Sequence, residues 1–125
     1  MNDPTPVNDI SGPVEPVPNE VRILASDENL GRLRSVHRPD TFLARAALKQ
    51  ARVYLFDRGI LLANGRGGLG LYRWDQITVA RRGSALQVHR ADGVDLRLTK
   101  HWSEFEALVG GVEQGVAEAA AAARG

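Results

Sequence analysis

The 125-residue chain contains no cysteine. Disulfides and thiolate metal sites are therefore excluded, and the chain is compatible with a reducing compartment. It also lacks any apolar run near the roughly 20 residues that span a bilayer. The opening MNDPTPVNDISGPVEP has no basic stretch followed by an apolar one, so it does not read as a secretory signal. These absences predict a cytoplasmic protein, with peripheral attachment to a membrane as the alternative. Aromatic residues are few: three Phe, two Tyr and two Trp. Binders of single-stranded nucleic acid interleave stacking aromatics with charge. Tyr54, Phe56, Tyr72 and Trp74 instead fall within apolar strand patterns, which argues against nucleic acid. The three histidines, His37, His89 and His101, have no ligand-type spacing, so no metal or other cofactor is expected.

The net charge of +1 conceals a strong asymmetry. Residues 1–31 carry Arg22 against six carboxylates, a net charge of −5. Residues 32–100 carry fourteen Lys or Arg against five Asp, a net of +9. Residues 101–125 carry Arg124 against four Glu, a net of −3. A basic body between acidic ends attracts phosphate, anionic lipid or acidic peptide, unless its own ends neutralise it.

Five of the six prolines lie within residues 1–20, where large apolar residues are scarce. Such a segment cannot bury enough surface to offset its ordering entropy and reads as a disordered tail. A domain is expected over residues 21–118, followed by an alanine-rich helix end over 119–125 that frays. EVRILASDENL reads as a short helix stopped by Gly31, and RLRSVHRPD as a first strand ended by Pro39. Residues 41–50 fit either a short helix or a loop packing its apolar side chains down.

From Ala51 the pattern sharpens. RVYLF, GILLAN, LYRW, ITVARR, SALQVHR and VDLRLTK read as strands separated by turn signals. Asp57-x-Gly59 suits a tight reversal. In ADG, Asp92 and Gly93 suit a hairpin with positive φ, and Leu86, Val88, Val94, Leu96 and Leu98 alternate as the buried face. Ser103-Glu104-Phe105-Glu106 reads as a capping box. Phe105, Leu108, Val109, Val112 and Val116 then recur at helical spacing, giving one apolar stripe that needs a surface to cover.

About seven short strands and a terminal helix predict a mainly β (α+β) fold: a partly open antiparallel barrel capped by the C-terminal amphipathic helix. Trp74-Asp75 interrupts the strand pattern between LYR and ITV. That break suits a corner where the chain passes from one sheet to the other, with Trp74 buried beneath and Asp75 tying the bend.

The same stretches carry a resemblance. RVYLFDRGILLA, YRWDQITVARR, the Asp-Gly hairpin and the final helix together look like the pleckstrin-homology-like superfold. They also resemble the uncharacterised bacterial DUF6585 group, through Leu55, Phe56, Gly59, Ile60, Leu61, Arg73, Trp74, Asp75, Gln76 and Ile77. The likeness spans roughly residues 30–116 and concerns structural residues, among which Gly59, Trp74, Asp75, Gly93, Ser103 and Phe105 are expected to shape the fold. It implies a binding module. Lipid-binding members grip inositol phosphates with basic residues at the first hairpin, a pattern loosely echoed by Lys49-x-x-Arg52. Arg38, Arg45, Lys49 and Arg52, joined by Arg66 and Arg73 on the third hairpin, form the candidate anion patch.

Catalytic chemistry finds little footing. NGRGGLG lacks the Gly-Lys-Ser/Thr ending of a phosphate loop and leads into a strand rather than a helix. Ser35 and Ser84 have no base or orienting group nearby in sequence, and Ser103 reads as a cap. Asp57 and Asp92 read as turn residues. The expected function is a non-enzymatic binding module for a protein or peptide partner, with self-association as a variant and anionic lipid headgroups as the alternative ligand.

Overall fold

The stretch Arg52–Phe56 places four large apolar residues side by side with no polar residue between them. A strand sends successive side chains to opposite faces, so this one needs cover on both. The computed structural model, which describes residues 16–41 and 50–124, supplies that cover from two directions. Arg45, Lys49 and the choice between helix and loop over 42–49 lie outside the described residues.

The elements run α1 (Asn19–Asp27), β1 (Leu33–His37), β2 (Arg52–Phe56), β3 (Gly59–Ala63), β4 (Leu69–Arg73), β5 (Ile77–Arg82), β6 (Ala85–Arg90), β7 (Asp95–Leu98) and α2 (Phe105–Arg124). All strand pairs are antiparallel, in two sheets ordered β1-β2-β3-β4 and β5-β6-β7. Among the described residues the sheets do not close into a barrel. An isolated antiparallel bridge joins Pro39 and Trp102, just past β1 and β7.

One core lies between the sheets and beneath α2. Val53, Leu55, Ile60 and Tyr72 meet Ile77, Leu86, Val88 and Leu98 there, and Leu108, Val109 and Val112 of α2 cover them. Each of those three helix residues is fully buried, contributing about 1.5–3 kcal/mol apiece. The second core lies on the outer face of the first sheet, where Val21, Ala25 and Leu30 cover Tyr54, Phe56 and Leu61.

The expected first helix is present, and Asn29 rather than Gly31 ends it. Asn29 adopts φ +54. Its N–H donates to the Ser26 carbonyl and the Leu30 N–H to the Ala25 carbonyl, a Schellman arrangement that buries Leu30. Gly31 (φ +85) instead lets the chain pass Asp57, whose Cβ would lie 2.7 Å from any β-carbon added there.

Trp74–Gln76 form one turn of 3-10 helix between β4 of one sheet and β5 of the other, at the expected corner. Trp74 is buried; its backbone N–H donates to the Arg58 carbonyl (3.1 Å) and its indole N–H to the Asp57 carbonyl (2.9 Å). Asp75 does not tie the bend. Its carboxylate is exposed and lies 3.8 Å from the Arg73 guanidinium.

Three further details depart from the sequence expectation. Ser103 forms no capping box: its hydroxyl accepts from the Arg38 N–H, and the first bond of α2 runs from the Leu108 N–H to the Glu104 carbonyl. Tertiary pairing with the end of β1 has taken the cap away. In the β6–β7 loop only Gly93 has positive φ, while Asp92 accepts from the Val94 N–H; Val94 therefore sits in the loop and is exposed. The alanine-rich end stays helical to Arg124, consistent with alanine's high helix propensity.

Two glycines of α2 provide a matched test. A β-carbon on Gly115 would fall 2.3 Å from the Trp74 ring, whereas one on Gly110 meets nothing within 4 Å. Gly110→Ala is expected to raise stability by about 0.5–1 kcal/mol through helix propensity. Gly115→Ala is expected to lower it by about 1–3 kcal/mol through overpacking. Urea unfolding midpoints of the two variants should move in opposite directions.

Candidate functional site

The strand register sorts the expected anion patch. Arg52 opens β2 opposite Ala63 at the end of β3, and Val53 pairs with His37. Arg38 follows His37, and the β3–β4 turn carries Arg66, so these three arginines share one end of the first sheet. Arg73 does not join them. It ends β4 opposite Gly59, at the other end, where its guanidinium donates to the Glu28 carbonyl (2.7 Å) and lies 3.7 Å from the Glu28 carboxylate. Gly59 is required in that register because a β-carbon would approach the Tyr72 carbonyl oxygen to 2.8 Å.

Local chemistry shapes the basic end. The Asn64 side-chain oxygen accepts from the Arg66 N–H (2.7 Å) and the Gly68 N–H (3.0 Å), while the Asn64 N–H donates to the Gly68 carbonyl. This Asx-type turn fixes the tip and leaves the Arg66 side chain exposed. The Arg38 carbonyl accepts from the Ser103 N–H (2.7 Å), and the Asp40 N–H donates to the His101 carbonyl (2.6 Å). These bonds draw the segment after β7, from His101 to Ser103, to the same end. The exposed carboxylates of Asp40 and Glu104 accompany the cations there.

His37 lies under this end and was not singled out by sequence reasoning. It is 2% exposed. The Ser103 carbonyl can only accept, so Nδ1 carries the proton (2.7 Å) and Nε2 accepts from the Ser35 hydroxyl (2.9 Å). Burial lowers the His37 pKa below 6.5, against the opposing effect of the Ser103 carbonyl. The available signal was its position: His37 falls on the inward phase of β1 with Ser35, which a bulge at Leu33–Ser35 obscures.

The second feature is a sheet edge. Among the described residues β5 pairs only with β6, and α2 meets it where Arg81 donates from Nε and Nη2 to Glu113 at 3.2 Å each. Where β5 turns into β6, a cleft of about 230 Å³ opens toward α2, floored by Leu86, Phe105 and Val109 and rimmed by Arg81 and Lys100. By contrast, Arg90 of β6 occupies the gap beside β4, donating to the Leu71 carbonyl (2.8 Å) and stacking over Tyr72 at 5.0 Å.

Charged groups are mostly spoken for. Burial works to raise the Asp57 carboxyl, but the Arg32 N–H and the Arg34 guanidinium more than offset it and hold it below the ordinary range. Arg90 lowers the Asp92 carboxyl likewise. Neither is placed to donate a proton near neutral pH. Among the described residues no three metal-ligating side chains gather, and no helix is long and apolar enough to cross a membrane.

The His37 arrangement makes stability pH-dependent. The folded pKa lies below the unfolded value of 6.5, so the unfolded chain binds the proton more readily. The contribution is complete above pH 6.5 and is lost as pH falls through that value toward the folded pKa. Urea unfolding at pH 7.5 and pH 5 should show the decline, and His37→Gln, although less stable at both, should show a smaller one.

Compared with protein-family models, curated proteins and solved structures, the chain matches none of them, so its functional reading rests on sequence pattern and geometry.

Proposed function

We propose that the chain is a non-enzymatic, pleckstrin-homology-like binding module of the cytoplasm that receives an extended segment of a protein partner along β5. One observation carries this reading: β5 is six residues long, pairs on one side only among the described residues, and has an apolar-floored cleft toward α2 at its far end. An extended peptide can add to such an edge by main-chain hydrogen bonds while the cleft takes one of its side chains. The exposed arginines at the end of β5 suit an edge guarded against indiscriminate pairing. The four-plus-three strand order with a terminal helix supports the fold resemblance on which the reading draws.

Panning a random peptide library against the protein tests this. A selected peptide should slow hydrogen exchange of the amides within residues 77–82. Protection elsewhere, or failure to recover any peptide, would reject the assignment of the edge.

A second reading, attachment to anionic lipid headgroups, is favoured by the register that brings Arg38, Arg52 and Arg66 to one end. It predicts sedimentation with phosphatidylserine vesicles that weakens with salt and falls several-fold in Arg66→Glu. Equal sedimentation with neutral vesicles removes it.

A further inference from the structure

Two hairpin loops carry an acid or amide residue followed by glycine: Asn64-Gly65 between β3 and β4, and Asp92-Gly93 between β6 and β7. Such a pair can close a five-membered ring when the glycine nitrogen attacks the side-chain carbonyl carbon of the residue before it, because the two groups are held together by the chain itself. The nitrogen must be free to attack, the carbonyl oxygen must be able to carry charge, and the departing group must be free to leave. The two loops differ on all three counts.

At Asn64 each condition is met. The Gly65 N–H donates to nothing among the described residues, and the residue is exposed. The Asn64 Oδ1 accepts from the Arg66 N–H (2.7 Å) and the Gly68 N–H (3.0 Å). Two backbone donors aimed at one carbonyl oxygen form the arrangement that stabilises an oxyanion. The Asn64 Nδ2 donates to nothing among the described residues, so the departing group is not tied down. The fold also fixes the attacking residue. Gly65 adopts φ +82, and a β-carbon there would lie 2.5 Å from the Gln50 Cβ. Glycine is therefore required at this position, and glycine shields its own nitrogen least.

At Asp92 each condition fails. The Gly93 N–H is engaged by the Arg90 carbonyl (2.8 Å). The Arg90 guanidinium donates to both carboxylate oxygens, at 2.9 and 3.0 Å. That pairing holds the Asp92 carboxyl below the ordinary range, so it stays ionised and offers no leaving group near neutral pH. Asn29 is guarded as well, since the Leu30 N–H that follows it donates to the Ala25 carbonyl.

We propose that Asn64-Gly65 is a self-modifying site, at which the folded β3–β4 turn promotes conversion of Asn64 to aspartate or isoaspartate. The Gly65 nitrogen gives its proton to solvent base and bonds to the Asn64 Cγ. The carbonyl electron pair moves onto Oδ1, where the Arg66 and Gly68 N–H groups hold it. As that pair returns, the Cγ–Nδ2 bond breaks, and Nδ2 takes a proton from water and leaves as ammonia. Water then opens the succinimide at either carbonyl, giving aspartate or, with one more methylene in the main chain, isoaspartate. Either product places a new negative charge two residues from the exposed Arg66 side chain. This end of the first sheet therefore loses net positive charge as the protein ages, whichever partner the chain takes.

Peptide mapping by mass spectrometry of the full chain, held at pH 8 and 37 °C, tests the proposal. The same chain in guanidinium chloride supplies the reference without a turn. Asn64 should convert roughly three- to tenfold faster in the folded protein than in the unfolded chain. Asp92 should form no isoaspartate over the same period. Arg66→Pro deletes one of the two donors to Oδ1 and should cut the folded rate by about half or more, with the amide spectrum reporting whether β3 and β4 stay paired. A folded rate equal to or below the unfolded one overturns the proposal, and this comparison needs no variant. Isoaspartate at Asp92 matching that at Asn64 overturns it too, as does an unchanged rate in Arg66→Pro with the strands still paired.

Discussion

The structure turns on one indole ring. Trp74 fills the corner between the sheets, and two other parts of the chain are defined by contact with it. Its two N–H groups hold the β2–β3 turn at Asp57 and Arg58, and its ring lies flat enough on α2 that only glycine fits at position 115. The buried hydrogen bonds matter as much as the apolar area, because an indole N–H left unpaired in this core would cost about 1–3 kcal/mol. The placement of α2 follows from this contact, and with it the distance at which the helix runs beside β5.

The strand order was legible because each strand declares itself locally. The Asp-Gly turns, the alternation in β6 and β7 and the change of period at Phe105 are short-range signals. The corner at Trp74 was legible because an aromatic-acidic pair breaks a β pattern that resumes at once. What escaped was non-local. Ser103 has the sequence context of a cap, but Arg38, sixty-five positions earlier, claims its hydroxyl. The double burial of β2 implied a second covering element, yet nothing in RVYLF says that the cover is the preceding nine-residue helix.

The candidate site was legible in composition and only partly in arrangement. A basic centre with acidic ends can be counted from the sequence, but which cations gather depends on register. Arg66 and Arg73 flank the same strand and look equivalent on paper; β4 separates them to opposite ends, and Glu28 engages only one. His101 to Ser103 join the basic end because a main-chain zipper between residues 38–40 and 101–103 brings them there. Pairing of that kind leaves no trace in side-chain chemistry.

The first helix also defines the smallest piece of this chain that remains a sound folding unit. Cutting at residue 31 would preserve every strand and the terminal helix. It would also strip the cover from Tyr54, Phe56 and Leu61 and leave the guanidinium groups of Arg58 and Arg73 without their carbonyl partners. A fragment trimmed to the strands alone would present a bare aromatic sheet face to water, the kind of surface that drives proteins out of solution.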